Sequence, residues 1–597
     1  MSRDGRRLLM PAVLCGLVAS VLMNCTSAAV EKRTVRLFPS QGSEQSVSSR
    51  TAKSDVGIVV AAHPLASAAG AAMLAKGGNA MDAATAASFV ISVVRPQSTG
   101  LGGGGFLLFH DSASGRQRVF DFRERAPAKA SPDMYLDEFK KYKTIKYRGR
   151  LVESPAVNGH LSVAVPGLVK GLLETHKAFG RLALSEVIKP SIDAAEKGFE
   201  VYPTLAREIE HRRKILEIFP ASQKIFLPKG EPLKAGDRLI QTDLAKTLKI
   251  IALEGERAFY DGRIAEKIVA EMHQGGGVVT RADLRSYRVI ERIPVTGRYR
   301  DFRVVSMPPP SSGGAHIIEM LNMLEPFAVS KMDPRGVKYL HLLSEVMRRA
   351  FADRAKEMGD SDYVDVPLAR LTSKMHAREL MKSFSEGSAS RSTDFGDLSV
   401  PAESPSTTHI SVIDKWGNAV STTQTINYSF GSCVVAEGTG IVLNDEMDDF
   451  TTMPGAQNVF GLVTGKKNDI EPGKRPLSSM SPTMIFDKEG RLQLVVGSPG
   501  GPRIINATLQ TIINSLDFKM PLREAVHATR IHHQWTPDKI SYEADSLDAD
   551  VKQQLSGLGH KLAPIETIGD VQAAQRLPNG ALVGASDSRG EGKAAVP

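Results

Sequence analysis

Cysteine is scarce in this sequence, with three among 597 residues. Cys15 and Cys25 lie in or beside an apolar N-terminal run, and Cys433 lies far from both of them in the body of the chain. A disulfide needs two cysteines, so residues 30–597 cannot be held by an internal disulfide framework. The fold must therefore be stabilised by burial of apolar side chains. The composition allows this, since 42% hydrophobic and 24% charged residues are ordinary for a large soluble globular protein.

Several motifs that would define other functional classes are also missing. The glycine run 102–105 is not followed by Gly-Lys-Ser/Thr, so it is not a phosphate-binding loop, and we predict a tight turn before an apolar strand. His532-His533 has no Cys or acidic partner at ligand spacing, so we expect no catalytic metal and no cofactor. Basic tracts such as 140–143 lack interleaved aromatic residues, which argues against nucleic-acid binding despite a pI near 9.2.

The N-terminus reads as an export signal. Arg3, Arg6 and Arg7 precede an apolar run over residues 8–23, and small residues follow at 26–29. The run is too short for a membrane span, so we expect a signal peptide over residues 1–29 and a periplasmic or secreted protein with no stable membrane span. Lipid attachment at Cys25 is an alternative, although Asn24 is an unusual residue before a lipoprotein cysteine.

Hydrophobic periodicity predicts alternating helices and strands without a long repeat. Helices are expected over residues 68–75, 80–94, 168–179, 184–197, 337–356 and 502–516, and strands over 482–486 and 492–496. Residues 385–406 are rich in serine, with Asp and Pro interspersed, and predict an exposed linker. These patterns suit layered α/β packing but do not define its topology.

The sequence after this linker predicts a β-hairpin headed by two threonines. Residues 408–413 alternate imperfectly, residues 414–418 read as a turn, and residues 419–426 are rich in β-branched side chains. With Gly417 in the left-handed position of a three-residue loop, Thr407 faces Thr425 across the pair. On the hairpin alone, a cross-strand Thr–Thr contact is the simpler interpretation.

The chemical alternative is that Thr407 cuts its own chain. Its hydroxyl would attack the Ser406 carbonyl, form an ester by N-to-O acyl shift, and release the upstream segment by hydrolysis. The new α-amino group would have a pKa of about 7.7–8.0 and could take the hydroxyl proton during a later attack on a substrate carbonyl.

Motifs on both sides of the hairpin decide between these readings. Thr407-Thr408-His409 and the segments 444–450, 475–483 and 497–501 resemble the gamma-glutamyltransferases, also called glutathione hydrolases. Segments 96–105, 121–124, 164–167 and 308–314 resemble the same family in the same order, so the likeness covers about residues 56–585. The resemblance implies the four-layer αββα sandwich of N-terminal nucleophile hydrolases.

Carried over residue by residue, the resemblance implies a specific active site. Thr407 corresponds to the nucleophile and Thr425 to the group that orients it, while Gly500 and Gly501 correspond to the oxyanion hole. The groups that hold the two ends of a γ-glutamyl substrate correspond to Arg123, Ser478 and Ser479 for the α-carboxylate, and to Asn427, Glu446 and Asp449 for the α-amino group. Without the resemblance, the arginine would read as a surface group and the acidic and serine residues as helix caps.

The resemblance also implies an activity and a subunit structure. Cleavage between Ser406 and Thr407 would give a large subunit, residues 30–406, and a small subunit, residues 407–597. The pair would take a γ-glutamyl group from glutathione or related compounds and pass it to water or to amino-acid or peptide acceptors. Residues 451–474 have the length of a lid, and Phe460 stands where many bacterial members have a lid tyrosine, so closure is expected to be looser.

Two other readings remain open at this stage. A cephalosporin acylase or a poly-γ-glutamate depolymerase would keep the Thr407 machinery, but it need not keep a carboxylate such as Asp449 for a free α-amino group. An unprocessed periplasmic binding or scaffold protein would keep the fold without the chemistry. Neither the nucleophile nor the glycine pair is lost here, which speaks against the scaffold.

Overall fold

The computed structural model describes residues 50–137, 141, 143–396, 406–451 and 466–597. The expected signal peptide, Cys25, Phe460 and most of the expected lid lie outside these residues. Among the described helices, none has both the length and the apolar character needed to cross a membrane.

Two antiparallel seven-stranded sheets form the centre of the fold. In spatial order, sheet I consists of Thr51–Ser54, Leu582–Ser586, Gln572–Arg576, Leu492–Gly497, Thr483–Phe486, Phe302–Ser306 and Val295–Tyr299. Sheet II consists of Lys593–Ala595, Gly57–Ala61, Thr408–Asp414, Ala419–Thr425, Gly104–Asp111, Arg116–Asp121 and Ile290–Arg292.

The inner strands of sheet II are apolar on both faces because both faces are covered. In the strand Gly57–Ala61, Ile58 and Val60 face sheet I, whereas Val59 and Ala61 belong to the core beneath the helices. Successive side chains of a strand point to opposite faces, so a strand buried on both sides reads as a continuous apolar run.

A helical layer covers the outer face of each sheet. Sheet II carries Pro64–Ala75 and Ala80–Val94, supported by Leu168–Phe179 and Leu184–Lys197. Sheet I carries Gly313–Leu324, Arg503–Leu516 and Leu522–His527, with Val337–Glu357 packed into the same core. The four-layer αββα sandwich expected from the family resemblance is therefore confirmed.

Smaller elements surround this frame. The remaining α-helices are Pro203–Leu216, Pro220–Phe226, Thr242–Glu254, Glu256–Tyr260, Arg263–Gln274, Arg281–Ser286, Leu368–Leu371, Lys374–Met381 and Ala549–Gly557. The remaining strands are Ile145–Tyr147 with Arg150–Val152, Phe199–Glu200 with Arg238–Leu239, Val435–Ala436 with Ile441–Val442, and the trio Ile531–His532, Ile540–Glu543 and Leu562–Ile565.

Two local predictions need correction. The glycine run 102–105 is not only a turn, because Gly104 and Gly105 already belong to the strand Gly104–Asp111. The expected linker 385–406 is not simply exposed: Ser392–Phe395 forms a 3-10 helix, and Ser390 donates to the buried Glu345 at 2.6 Å. The serine-rich composition predicted a solvent-exposed segment, but hydroxyl groups of this segment form hydrogen bonds with buried charged side chains.

Candidate functional site

The threonine hairpin has the predicted register. Thr408 lies opposite Gln424 and Ile413 opposite Ala419, and Gly417 has a φ of 88° in the connecting loop. Continuing this pairing by one residue brings Thr407 to Thr425, with 3.2 Å between the two Oγ1 atoms. The hairpin therefore places one hydroxyl where it can orient the other.

Thr407 has a strained backbone at the predicted cleavage point. Its φ is 139°, a region that β-branched residues rarely adopt, and this conformation costs about 1–3 kcal/mol. On the other side of the peptide bond, the Ser406 hydroxyl donates to the Gln97 carbonyl at 2.9 Å, and both Ser406 and Thr407 are buried. Cleavage would release the strain that the uncut chain stores at this bond.

Close backbone packing holds Thr425 in place. A Cβ on Gly103 would lie 2.1 Å from the Thr425 carbonyl oxygen, and one on Gly105 would lie 2.4 Å from the Thr423 carbonyl oxygen. The glycine run thus permits an approach that no other residue allows. The Asn427 N–H donates to Thr425 Oγ1 at 2.9 Å, so the Thr425 oxygen is fixed from the strand end as well.

Arg123 lies at the centre of a buried ionic cluster. It donates to Glu446 from Nη1 and to Asp449 from Nη2, each at 2.5 Å, and to the Pro476 and Leu477 carbonyls from Nε and Nη2. The family resemblance implied that Arg123 holds one end of the substrate and that the two acids hold the other. Here they pair with one another, so a zwitterionic ligand could bind by replacing this internal ion pair.

The electrostatics of the cluster favour exchange with such a ligand. Burial raises the pKa of Glu446, an effect that the Arg123 charge opposes and the Asp449 charge reinforces. Burial also raises the pKa of Glu124, neither of whose carboxylate oxygens has a hydrogen-bond partner among the described residues. A bound ammonium group would stabilise the ionised form of Glu446.

Ser478 and Ser479 directly follow Pro476 and Leu477, whose carbonyls accept from Arg123. The Ser478 hydroxyl accepts from the Met480 N–H at 3.1 Å, and the Ser479 hydroxyl accepts from Arg354 Nη2 at 3.3 Å. Arg354 was not singled out from the sequence, where it is one of several charges in the long helix Val337–Glu357. That helix is buried continuously over residues 339–352, so no polar face of it distinguishes Arg354 from its other charges.

The glycine pair precedes the helix Arg503–Leu516. Gly500 and Gly501 have φ angles of 125° and 56°, and Gly501 lines the same cavity as Thr407. The carbonyls of both glycines accept the first N–H groups of the following helical segment. The backbone at this point therefore presents the positive end of a helix dipole towards the cavity.

A single cavity gathers most of the predicted residues. It is lined by Arg123, Thr407, Thr425, Asn427, Glu446, Asp449, Ser478, Ser479 and Gly501, together with Arg354, Leu477, Met480 and Ile504. Gly500 and Ser406 adjoin this lining in sequence, and Phe460 lies outside the described residues. The candidate nucleophile, cations, anions and hydroxyl groups thus surround one small space.

Groups able to ligate a metal lie elsewhere. Within the described ranges, two clusters have suitable spacing, His341 with Glu345 and His560, and Glu319 with Asp353 and His376. Neither cluster lines the cavity of Thr407. His532 binds Asn506 and Gln534 through its two ring nitrogens, so it has a structural role.

Comparison with known proteins supports the same reading. The gamma-glutamyltranspeptidase family model matches residues 66–596. The glutathione hydrolase proenzyme of Escherichia coli (strain K12) is 42% identical over 536 residues, covering 89% of this chain and 90% of that protein. The Acylase ACY 1 proenzyme of Pseudomonas sp. (strain V22) is 41% identical over 540 residues, covering 90% and 92%.

A solved structure shares the fold. The cephalosporin acylase from Bacillus halodurans matches with a TM-score of 0.80 and 28% identity, covering 92% of this chain and 97% of that chain. The sequence motifs, the sandwich and these matches agree, and the chain belongs to the gamma-glutamyltranspeptidase family.

Proposed function

We propose that this chain is a self-processing γ-glutamyl hydrolase and transferase with Thr407 as its nucleophile. The observation that carries the proposal is the cavity in which the Thr407 hydroxyl, at 3.2 Å from Thr425, faces a cluster of Arg123, Glu446 and Asp449. A γ-glutamyl group presents a zwitterion at one end and an amide carbonyl at the other, so it matches both parts.

Processing would convert the strained precursor into two pieces. Thr407 Oγ1 attacks the Ser406 carbonyl carbon, the C–N bond breaks as the nitrogen takes a proton, and water hydrolyses the resulting ester. The products are a Ser406 carboxylate ending the large subunit and a free Thr407 α-amino group beginning the small one. That amine is the general base that the uncut chain lacks.

Turnover would use the same hydroxyl a second time. The α-amino group takes the Thr407 hydroxyl proton as Oγ1 attacks the γ-carbonyl carbon, and the backbone near Gly500 and Gly501 stabilises the oxyanion. The leaving amine, Cys-Gly in the case of glutathione, takes that proton. Water or the amine of an amino acid or peptide then attacks the γ-glutamyl ester and regenerates Thr407.

The carboxylate pair favours γ-glutamyl donors over the acylase alternative. A glutaryl group has no amine, so binding it would leave Glu446 and Asp449 without a cationic ligand in a buried site. We expect a higher kcat/KM for γ-glutamyl-anilide than for glutaryl-anilide. A preference for the glutaryl compound, or for poly-γ-glutamate, would overturn the assignment of the donor while leaving the nucleophile intact.

The processing step is tested by intact mass and N-terminal analysis of purified protein at neutral pH. Wild type should give two pieces with Thr407 leading the smaller one, and Thr407→Ala should give one uncut, inactive chain. Thr408→Val is the matched control, because the Thr408 hydroxyl has no hydrogen-bond partner among the described residues. A Thr407→Ala chain that is still cut, or still turns over, would refute the role of Thr407.

We also propose export of the precursor through residues 1–29. The support is the basic and apolar pattern of that segment. Mass analysis of the large piece from the native host distinguishes a start near Val30 from a lipid-modified start at Cys25, and a start at Met1 would contradict export by this signal.

A further inference from the structure

We infer that Arg354 is a second cation for the α-carboxylate of the γ-glutamyl donor, acting with Ser479 and in addition to Arg123. The inference rests on the proposed function and adds a binding residue to it. Arg354 lies near the end of the helix Val337–Glu357, where its side chain reaches the wall of the Thr407 cavity.

Arg354 is a buried charge that has no direct counter-ion among the described residues. It is 2% exposed, and no carboxylate of a described residue lies within ion-pair distance of its guanidinium group. Its Nε donates to the Ser312 hydroxyl at 2.9 Å and its Nη2 to the Ser479 hydroxyl at 3.3 Å. No described residue accepts from Nη1.

Such an arrangement is costly unless a ligand completes it. A buried cation is normally paired, and Arg123 in the same cavity has both Glu446 and Asp449. Burial lowers the pKa of Arg354 to about 10, while the Asp449 charge acts in the opposite direction from a distance.

The chemistry of the neighbours identifies the missing anion. Ser479 accepts from Arg354, so its own hydroxyl hydrogen remains available to donate to a carboxylate oxygen. Arg354 also fixes Ser312, whose hydroxyl donates to the Ser478 carbonyl at 2.8 Å. The guanidinium therefore positions the serine pair and keeps one nitrogen, Nη1, without an acceptor among the described residues, which fits a carboxylate bound by a cation and hydroxyl groups.

The test compares donors that differ only at the α-carbon. γ-Glutamyl-anilide carries both the amine and the carboxylate, and 4-aminobutyryl-anilide keeps the amine without the carboxylate. For Arg354→Gln we expect kcat/KM to fall about 10- to 100-fold with the first donor, the loss of one charge-assisted hydrogen bond, and to change less than about twofold with the second.

Controls separate this role from a structural one. Lys356→Gln removes an exposed cation from the same helix and should leave both rates unchanged. Arg354→Lys keeps the positive charge but loses the planar guanidinium group that can form two parallel hydrogen bonds. Its kcat/KM with γ-glutamyl-anilide should therefore lie between those of wild type and Arg354→Gln. If Arg354→Gln fails to mature, competitive inhibition of wild type and Arg354→Lys by L-glutamate and by 4-aminobutyrate gives the same comparison.

Three outcomes are decisive. A loss of kcat/KM or of inhibitor binding in the Arg354 variants that is confined to the compounds with an α-carboxylate supports the inference. An equal loss with both donors, or equal weakening of both inhibitors, would overturn it and leave Arg354 a structural residue. A wild-type enzyme that is cut but does not release γ-glutamyl groups would instead refute the proposed function, before any variant is compared.

Discussion

Replacing Thr425 tests how much its hydroxyl contributes to the reactivity of Thr407, the proposed nucleophile. Thr425→Val keeps the β-branched shape and removes the oxygen that lies 3.2 Å from Thr407 Oγ1. The same oxygen accepts from the Asn427 N–H, so the substitution also leaves a buried donor without its acceptor. Thr425→Ser is the matched variant, because it keeps the hydroxyl and loses only a methyl group.

The two contacts of the Thr425 oxygen predict separate effects, one on kcat/KM and one on the free energy of unfolding. A hydrogen bond to an oxygen that gains negative charge as its proton leaves is worth about 1.5–3 kcal/mol, so kcat/KM should fall roughly 10- to 100-fold. The unsatisfied Asn427 N–H should lower the free energy of unfolding by about 1–3 kcal/mol. The first loss appears in kinetics and the second in denaturation, so they can be measured separately.

The assay follows both reactions of the same hydroxyl. Quantitative intact mass over time gives the rate of precursor cleavage, and release of anilide from the mature fraction gives turnover per cut enzyme. We expect Thr425→Val to slow both and Thr425→Ser to retain most of each. A Thr425→Val enzyme within twofold of wild type in both rates would show that Thr425 does not orient the nucleophile.

Two further changes test features outside the immediate site. Gly103→Ala would place a Cβ 2.1 Å from the Thr425 carbonyl oxygen. We therefore expect the free energy of unfolding to fall by about 1–3 kcal/mol in denaturation and the precursor to be cut more slowly by mass analysis. Gly557→Ala is the control, because a Cβ on Gly557 would meet no atom within 4 Å, and we expect it to change neither stability nor the rate of cleavage. Burial acts to raise the pKa of Glu345, but hydrogen bonds and charges from Ser390, Arg348 and Arg349 outweigh it and lower that pKa to about 2. Glu345→Gln should therefore cost roughly 3 kcal/mol at neutral pH, a difference that shrinks as pH falls from about 4.5 towards 2; an unchanged difference in urea titrations at pH 7 and pH 3 would contradict this.

Local patterns predicted the elements of the fold well. The helix Ala80–Val94 has the predicted ends, and the hairpin after Thr407 has the predicted register, because alanine content, strand alternation and a glycine turn are properties of neighbouring residues. The pairing of Gly57–Ala61 with Thr408–Asp414 joins segments some 350 residues apart, and periodicity carries no information about such partners. Only the family resemblance supplied the topology.

The site was predicted in composition more than in arrangement. Motif likeness identified nine of the thirteen residues that line the cavity, but not that Arg123 would be held by Glu446 and Asp449. Arg354 was missed because its helix carries several other charged residues, and because its importance comes from Ser312 and Ser479, which lie far from it in sequence. The contacts of Arg354 are made by residues that are distant in sequence, and the local sequence around each of them does not predict its partner.

The interleaving of sheet II has a consequence for the lifetime of the proposed mature enzyme. The hairpin that begins at Thr407 is bordered on one side by Gly57–Ala61 and on the other by Gly104–Asp111, both from the upstream piece. The precursor can assemble this ladder within one molecule. Once the bond before Thr407 is cut, reassembly after unfolding becomes an encounter between two separate chains, each with unpaired strand edges that favour aggregation. The stability of the mature form would then be kinetic: its lifetime would depend on the rate at which the sandwich unfolds, because we do not expect an unfolded molecule to refold.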